Sequence, residues 1–368
     1  MKKIRVNIPR HPYDILIGYE IFSDIGAYLK ELFPNKSVFI ITNATVAILY
    51  LKLLIKSLKR NSFNNVCIYQ MPDGERHKNI VQWNKVIHSL TNFDNSQNKE
   101  VFIINLGGGV VGDLGGFAAS TYHRGIDYVQ IPTTLLACVD SGIGGKVGIN
   151  YANFKNCLGN FWHPKLVFID IALLHTLNER QFKSGLAEVI KYGIAFDDCL
   201  FDYIEKKLIC NKIFKKNVLI HICESCYRLK TKIVEQDPDD TENIRILLNY
   251  GHTIGHAIES ASHYSYTHGE SVSIGIVCAN DLARTLGMLS NDVCERIETT
   301  LKNAELPINI MNCNLDEILK AMHNDKKFIH GTNRFVLLNN KNDICAAQIV
   351  EDIPNNIIRR VLKKRIIS

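Results

Sequence analysis

Two histidines lie four residues apart in the segment LNYGHTIGHAIE, residues 248–259. A helix advances about 3.6 residues per turn, so we expect His252 and His256 on one helix face, one above the other. A helix presents two metal ligands in this way, or one ligand beside a group that exchanges protons. Two helix histidines that hydrogen-bond to the backbone or to solvent fit the spacing equally well, and the segment alone does not separate these interpretations.

Two further segments supply the other groups that a metal site needs. SGLAEVIKYG places Glu188 and Lys191 one turn apart on a predicted helix, and THGESV places His268 at a predicted loop–helix junction. Glu188 and Lys191 either form an i,i+3 pair on the protein surface, or Glu188 is a metal ligand that faces a cleft and Lys191 is its neighbour. One carboxylate and two imidazoles that leave a position open are the composition of a catalytic zinc site. Glu188, His252 and His268 are thus a candidate ligand set, which their wide spacing does not prove.

A glycine-rich segment, NLGGGVVGDLGGF, follows an apolar run and opens a predicted helix. Gly107, Gly109 and Gly112 fit the dinucleotide pattern G-x-G-x-x-G, in which the backbone approaches a pyrophosphate at a helix N-terminus. A tight strand–helix turn with close packing is the alternative. One feature does not fit, because an acidic residue should end the next strand, whereas Asp127 begins one.

The segment IPTTLLACVDSGIGGKVGIN (131–150) is expected to be loop-like, as is DGERHK (73–78). Thr133 and Thr134 follow a strand and a proline, so they either cap a helix or donate to a phosphate or ribose. Asp140 and Lys146 are charges in an otherwise small and apolar segment. Lys146 taken alone is an ordinary loop lysine.

Apolar runs in the first half of the chain alternate with helical patterns. SVFIIT (37–42), NVCIYQ (65–70) and VFIINL (101–106) predict strands, and helices are predicted at 44–59 and near 79–90. DYVQIP and LVFIDI are later strand-like runs. Strands that alternate with helices indicate a parallel sheet with crossover helices.

Helical patterns dominate after about Leu177. They predict helices at 179–192, 199–207, 212–235, 246–261, 272–286 and 292–304. NRFVLLNN (333–340) predicts a short hairpin strand. The expected fold is an α/β N-terminal domain at 1–177, followed by a mostly α-helical C-terminal domain at 178–368.

The composition is that of an ordinary globular protein. The 368 residues are 46% hydrophobic and 22% charged, with a net charge of +6. The basic clusters are short and lack aromatic platforms, so we expect no nucleic-acid partner, and the mild excess favours a small anionic substrate. No long apolar run or secretory leader is apparent, which predicts no membrane association and a cytoplasmic location. Cys223 and Cys226 form a lone C-x-x-C in a helical pattern, which predicts small buried residues rather than a redox or zinc pair.

These segments together resemble the 3-dehydroquinate synthase family of the sugar-phosphate cyclase superfamily. The family's motifs occur in order from about Asp73 to Arg334: LGGGVVGDLGGFAAS, YHRG, PTTLLACVD, GGK, KNCLG, SGLAEVIKYG, NYGHTIGHAIE, HGE and DKK. An ordered set of this length is far more specific than the glycine pattern alone.

The resemblance implies a homodimeric enzyme that depends on NAD and on a metal ion, zinc or cobalt. The family converts 3-deoxy-D-arabino-heptulosonate 7-phosphate to 3-dehydroquinate and phosphate, in the shikimate pathway of aromatic amino acid biosynthesis. Transient oxidation by NAD, phosphate elimination, re-reduction and intramolecular aldol closure follow one another. The resemblance also implies a Rossmann-like sheet in an NAD-binding domain, a second domain that binds metal and substrate, and an active site in the cleft between them.

Site residues follow from the resemblance position by position. Glu188, His252 and His268 match the metal ligands, and His256 matches a partner of substrate or bound water. The positions that match nucleotide-binding motifs are Asp73, Glu75, Lys78, Gly108, Gly109, Asp113, Thr133, Thr134, Asp140, Lys146 and Lys155. The positions that match substrate contacts are Lys146, Asn156, Lys191, Arg245, Asn249 and Lys326, and Arg124 matches an arginine that reaches the neighbouring subunit's substrate phosphate.

The sequence departs from the family pattern at three places. Gly142 stands where serine is common, one extra residue precedes Arg245 and weakens the match of Lys230, and either Lys326 or Lys327 could face the site. The alternative functions are a metal- and NAD-dependent polyol dehydrogenase of the glycerol type, or a cyclase for another sugar phosphate. Neither alternative explains the whole basic set, because a polyol has no anionic group and the other substrates lack a carboxylate for Arg245.

Overall fold

A computed structural model describes residues 1–367, except residues 10, 95–99, 153, 264, 324–332, 340–343 and 346. It divides the chain into two units. The first contains Met1–Leu177 and Leu219–Asp239, and the second contains Asn178–Val218 and Asp240–Ser368. Residues 219–239 thus belong to the first unit, although the sequence pattern assigns them to the C-terminal domain.

A mostly parallel sheet is the centre of the first unit. The strands of the chain are β1 (Lys2–Val6), β2 (Tyr13–Gly18), β3 (Ser37–Asn43), β4 (Val66–Met71), β5 (Val101–Gly107), β6 (Tyr128–Pro132), β7 (Lys146–Tyr151), β8 (Phe154–Phe161), β9 (Leu166–Asp170), β10 (Ile310–Met311), β11 (Arg334–Leu338), β12 (Ala347–Glu351) and β13 (Ile366–Ile367). Seven of them form the sheet, in the order β1-β2-β9-β6-β5-β3-β4. Only the pairing of β1 with β2 is antiparallel in this sheet. The predicted Rossmann-like parallel sheet is confirmed.

Helices cover both faces of this sheet and form most of the second unit. They are α1 (Ile25–Leu32), α2 (Ala44–Val46), α3 (Lys52–Arg60), α4 (Ile80–Phe93), α5 (Gly109–Thr121), α6 (Glu179–Phe196), α7 (Asp198–Ile209), α8 (Lys216–Gln236), α9 (His252–Ala261), α10 (His268–Thr285), α11 (Asn291–Asn303), α12 (Leu315–His323) and α13 (Asn355–Arg365). A π-helical turn at Ala47–Leu51 joins α2 to α3, within the helix predicted at 44–59. In the described part of the chain, no helix combines the length and apolarity that a membrane crossing requires.

The side chains of β5 explain why its sequence is apolar throughout. Every residue of β5 is buried. Phe102 packs with the core on one face of the sheet, and Ile103 packs with the core on the opposite face. Successive strand residues point to opposite faces, so a strand between two helical layers needs apolar residues at every position.

The predicted loop at 131–150 is wrong in its last part. β7 pairs with β8 as an antiparallel hairpin, which the sequence pattern does not reveal. β8 is largely exposed and so lacks an apolar run, and glycines replace side chains where the two strands touch. A Cβ atom on Gly148 would lie only 2.7 Å from the Leu158 carbonyl oxygen. A hairpin built on close backbone approach carries little hydrophobic signal.

The helix predicted at 246–261 is also wrong in its first part. Residues Arg245–Asn249 form a 3₁₀ turn, Gly251 has a φ of 77°, and α9 begins at His252. A Cβ atom on Gly251 would lie 2.7 Å from Ile276 Cγ1, on α10. The left-handed glycine thus ends the turn where α9 meets α10, and it makes His252 the first residue of α9.

The remaining predictions for the second unit agree with the structure. It is mostly helical, and α10 packs against both α9 and α6. The predicted hairpin strand is β11, which pairs antiparallel with β12. In α8, which begins in this unit and continues into the first, Cys223 and Cys226 are buried free thiols, as the helical pattern predicts.

Candidate functional site

Three ligand atoms converge in the second unit, one each from Glu188 on α6, His252 on α9 and His268 on α10. They all lie within 4.8 Å of one another. The Glu188 Oε1 atom is 3.2 Å from His252 Nε2 and 3.3 Å from His268 Nε2. The Glu188 side chain is 0% exposed. The structure thus brings together the three residues that the sequence analysis selects as candidate ligands.

Local sequence explains how α6 and α10 bring Glu188 and His268 together. The Thr267 hydroxyl accepts a hydrogen bond from the Glu270 amide and the Glu270 carboxylate accepts one from the Thr267 amide, so this capping box begins α10 at His268. Gly269 follows, and its amide donates to Ser184 Oγ over 3.0 Å. Ser184 precedes Glu188 by about one turn of α6, so the contact at Gly269 sets the separation of the two site residues.

Each histidine of the cluster has an oxygen beside its other ring nitrogen. His252 Nδ1 lies 3.0 Å from the Tyr250 carbonyl oxygen, and His268 Nδ1 lies 3.4 Å from Glu259 Oε2. When Nδ1–H donates to such an oxygen, the lone pair on Nε2 is available to a metal ion. In both rings it is Nε2 that lies close to Glu188.

The cluster fits a divalent cation. Among the described residues, neither carboxylate oxygen of Glu188 has a hydrogen-bond partner of good geometry, although both are buried. A buried carboxylate is costly unless charges compensate it, and a divalent ion would add to the compensation that the ion pair with Lys191 provides. Two imidazole nitrogens and one carboxylate oxygen are a donor set found in catalytic zinc sites.

Nearby charges decide the protonation of the cluster. Desolvation raises the pKa of the Glu188 carboxyl, but the charges of Lys191 and His252 lower it more and hold it well below its usual range. Burial lowers the pKa of His252. Burial acts in the same direction on His268, but the neighbouring carboxylates of Glu188 and Glu259 outweigh it and raise that pKa to about 9. At neutral pH the Glu188 carboxyl is therefore ionised, as a metal ligand must be.

Other predicted residues of the second unit lie on the same elements. The His256 ring centroid is 5.2 Å from that of His252 and 5.9 Å from that of His268, although His256 is outside the ligand cluster. Lys191 forms an ion pair with Glu188, and its side chain is 2% exposed. Arg245, which is buried, and Asn249 are at the two ends of the 3₁₀ turn before α9. Lys326 and Lys327 lie outside the described residues.

The glycine segment of the first unit forms the turn between β5 and α5. Gly108 is the N-cap of α5 and Gly109 is its first residue. A Cβ atom on Gly108 would lie 2.8 Å from Thr134 Cγ2, so the glycine turn is packed against the segment after β6. The Thr134 hydroxyl accepts a hydrogen bond from the Ala137 amide over 3.2 Å, which is the capping role. The Thr133 amide donates to the Gly107 carbonyl oxygen over 3.0 Å.

A charged cluster joins α5 to the segment after β4. Lys78 Nζ lies 2.9 Å from Asp113 Oδ2 and 3.1 Å from Glu75 Oε1, and its side chain is 4% exposed. Burial lowers the pKa of Lys78, but the carboxylates of Asp113 and Glu75 outweigh it and raise the pKa above its usual range. The Asn150 side-chain amide donates to Glu75 Oε1 over 2.9 Å. Three predicted nucleotide-binding residues are thus in direct contact.

Among the described residues of the first unit, the remaining predicted ones are not in direct contact with Lys78. The Asp73 carboxylate accepts hydrogen bonds from Asn43 and Thr45. Asp140 accepts from Lys230 Nζ, through its carboxylate over 2.9 Å and its carbonyl oxygen over 2.8 Å. Four further predicted residues are exposed or half-buried on the surface of this unit: Arg124 in a 3₁₀ turn, Lys146 at the start of β7, and Lys155 and Asn156 on β8.

One residue beside the candidate ligand cluster, Glu259, ends the motif NYGHTIGHAIE but is not among the predicted site residues. Its carboxylate lies against His268, and its side chain is 6% exposed. The sequence contains a signal for it, because His252, His256 and Glu259 follow the i, i+4, i+7 spacing of one helix face. No local sequence pattern, however, predicts that the Glu259 side chain contacts His268 on α10.

Comparison with known families agrees with the motifs. Residues 68–184 match the family described as 3-dehydroquinate synthase N-terminal, and residues 185–328 match 3-dehydroquinate synthase C-terminal. The chain belongs to the 3-dehydroquinate synthase family. The family resemblance and the enzymatic function that it implies are confirmed.

Individual relatives of the 3-dehydroquinate synthase family match nearly the whole chain. The 3-dehydroquinate synthase of Vibrio atlanticus is 41% identical over 366 residues, which cover 98% of each chain. That of Thermodesulfovibrio yellowstonii is 43% identical over 341 residues, or 92% of this chain and 93% of the relative. Among solved structures, the 2-epi-5-epi-valiolone synthase of Streptomyces hygroscopicus, with NAD⁺ and Zn²⁺ bound, is 25% identical with a TM-score of 0.85 over 96% of each chain.

Proposed function

We propose that this chain converts 3-deoxy-D-arabino-heptulosonate 7-phosphate to 3-dehydroquinate and phosphate, with NAD and one divalent metal ion, zinc or cobalt. The observation that carries this proposal is the convergence of Glu188, His252 and His268 in a chain that matches the family along its length.

Glu188 Oε1 and the Nε2 atoms of His252 and His268 would hold the metal ion. Bound there, the ion supplies Lewis-acid polarisation of a substrate oxygen. The chain supplies the fixed ligand geometry through the contacts of the two Nδ1 atoms. Lys191 adds a positive charge directly beside Glu188.

The first unit would bind NAD at the glycine turn between β5 and α5. The N-terminus of α5 offers amide donors and a partial positive charge to a pyrophosphate, and Gly108 and Gly109 let the backbone approach it. In the described part of the chain, the buried Thr133 hydroxyl has no hydrogen-bond partner, so it can donate to the nucleotide. The cluster of Glu75, Lys78 and Asp113 and the residues Asp73, Asp140, Lys146 and Lys155 would complete this site.

Basic and amide side chains would bind the anionic substrate. The proposed contacts are Lys146, Asn156, Lys191, Arg245, Asn249 and Lys326. A buried guanidinium such as that of Arg245 suits a planar carboxylate, which it can bind through two hydrogen bonds. His256 lies beside the metal cluster, where it can exchange a proton with the substrate. The aldol closure requires chiefly that these residues hold one substrate conformation.

We further propose a cytoplasmic homodimer in which Arg124 reaches the substrate phosphate of the neighbouring subunit. Arg124 is exposed, and both His123 and Arg124 have positive φ values, 47° and 62°. Non-glycine residues rarely adopt this conformation, and such strain concentrates at functional positions. The turn thus leaves Arg124 exposed, as a contact with a neighbouring subunit requires.

The test measures NADH formation and phosphate release in the same reaction. The purified chain with zinc and a trace of NAD should release phosphate from 3-deoxy-D-arabino-heptulosonate 7-phosphate over many turnovers per NAD, with no steady rise in NADH absorbance. Stoichiometric NADH from glycerol without phosphate release would instead establish a polyol dehydrogenase. Turnover of a heptulose phosphate that lacks the carboxylate, in preference to the acid, would establish a different cyclase.

A substitution at Arg245 tests the carboxylate contact within the same assay. Removing one partner of a buried charge-assisted contact costs about 2–5 kcal/mol. Arg245→Ala should therefore lower kcat/KM for the acid substrate by roughly thirty- to several-thousand-fold. Arg228→Ala is the matched control, because Arg228 is exposed and forms an ion pair with Glu224, one turn away on α8.

A further inference from the structure

Glu259 is a buried carboxylate next to the metal cluster but outside its ligand set. It lies on α9 seven residues after His252, so both side chains are on the same face of that helix. Its Oε2 atom is 3.4 Å from Nδ1 of His268, which belongs to α10. The contact therefore joins the helix that carries one ligand to the ring that is another ligand.

The two ligand histidines are oriented by different kinds of group. The Tyr250 carbonyl oxygen beside His252 Nδ1 belongs to the backbone, two residues earlier in the chain, and the left-handed Gly251 fixes its direction. His268 is the first residue of α10, and its Nδ1 faces a side chain of another helix. Orientation of His268 thus depends on a residue that a single substitution can remove.

We propose that Glu259 is a positioning residue of the metal site, which accepts a hydrogen bond from His268 Nδ1–H and thereby directs His268 Nε2 toward Glu188 and His252. A carboxylate in this place fixes the ring's tautomer and raises the basicity of the ligating nitrogen. The inference rests on the proposed ligand set and adds to it a fourth side chain that does not touch the metal.

Zinc affinity of the full-length chain provides the test. Zinc dissociation constants are measured by competition with a chromophoric chelator for the wild type, Glu259→Met and Glu259→Gln. Methionine has a similar length without the carboxylate, whereas the glutamine carbonyl oxygen can still accept from Nδ1–H. Glu259→Met should raise the zinc Kd about 10- to 100-fold, and Glu259→Gln should recover most of that loss. The d–d absorption spectrum of the cobalt-loaded protein should change in Glu259→Met and return in Glu259→Gln.

Asp281→Asn separates a metal-specific effect from general destabilisation. Asp281 is a buried carboxylate on α10, about three and a half turns beyond His268, and it pairs with Arg284 and Arg365. Its substitution should lower the unfolding temperature and leave the zinc Kd unchanged. A zinc Kd that rises in this control as it does in Glu259→Met would overturn the proposal, because the loss of affinity would then follow from general destabilisation.

Each remaining outcome decides a different point. The inference is overturned if both Glu259 variants keep the wild-type zinc affinity and cobalt spectrum. It is also overturned if both variants lose the same amount of zinc affinity. If Glu259→Met does not fold, ¹⁵N NMR of zinc-loaded wild type decides, since His268 must be protonated at Nδ1 and ligated through Nε2. Failure of the ligand set itself is separate: the wild type would bind no zinc, or His252→Ala would keep it.

Discussion

Gly269 sets the distance between two of the proposed metal ligands, so its replacement by alanine should weaken metal binding. A Cβ atom at this position would lie 2.5 Å from the Ser184 carbonyl carbon and 2.6 Å from its Cα, where an ordinary contact begins at 3.4 Å. Both obstructing atoms are backbone, so no side-chain rotation relieves the clash. Helix α10 must move away from α6 by about 1 Å, whereas metal–ligand distances tolerate about 0.2 Å.

The strain translates into a measurable loss. Overpacking of this kind costs about 1–3 kcal/mol. The metal-free protein can relieve this strain by separating α6 from α10. Metal binding requires the original spacing of Glu188 and His268, so it restores the strain and the affinity for zinc falls. A cost of about 1–3 kcal/mol raises the zinc Kd of Gly269→Ala roughly 5- to 140-fold. Chelator competition and thermal unfolding of both metal-free and zinc-loaded protein measure it.

Gly287→Ala is the matched control for this substitution. Gly287 follows α10 with a φ of 73°, and a Cβ atom there would meet nothing within 4 Å. Alanine in the left-handed region costs about 1–2 kcal/mol without moving α10 toward or away from α6. The control should unfold at a lower temperature with an unchanged zinc Kd. A Gly269→Ala protein with wild-type zinc affinity would refute the reasoning from helix spacing.

Three further predictions concern the candidate ligand histidine His252, the exposed Arg124 and the carboxylate of Glu298. His252→Ala should remove metal and activity together, whereas His256→Ala should keep the metal, as elemental analysis of the purified variants will show; full metal content in His252→Ala contradicts the ligand assignment. Inactive Arg124→Ala and His252→Ala chains should regain activity as verified heterodimers, because one site has both residues intact; no recovery means that Arg124 serves its own subunit. Burial raises the pKa of Glu298, but Lys302 and Arg365 lower it by more, so it lies below the usual value. Its stabilising contribution is therefore present above about pH 4.5 and is lost as the pH falls further, so the difference in unfolding free energy between wild type and Glu298→Gln should vanish in acid.

Five strands of the central sheet, β3, β4, β5, β6 and β9, and most helices could be predicted from the sequence. The run at 101–106 is apolar throughout because β5 is covered on both faces, and the helical patterns after 178 record which face of each helix is buried. Such periodicity is local, since each residue's burial depends on the direction in which its own element turns it. Residue types also sufficed to select Glu188, His252 and His268 as a candidate set, although their role as ligands stays a prediction.

Other features depend on contacts between segments far apart in the chain, which no local pattern encodes. The β7–β8 hairpin rests on glycine backbones that touch, and the start of α9 depends on Gly251 meeting Ile276 of α10. Residues 219–239 join the first unit although they continue a helix that begins in the second.

Contacts between distant segments also explain why the sequence alone did not show that Glu188, His252 and His268 lie together. Glu188 is 64 positions from His252 in the chain, and only the packing of α6, α9 and α10 brings their ligand atoms within 4.8 Å. Glu259 is visible in the sequence as a third polar residue on one helix face, but its contact with His268 exists only once α10 is docked beside α9. Spacing along one helix is a property of the sequence, whereas the partner that a side chain meets is decided by the tertiary structure.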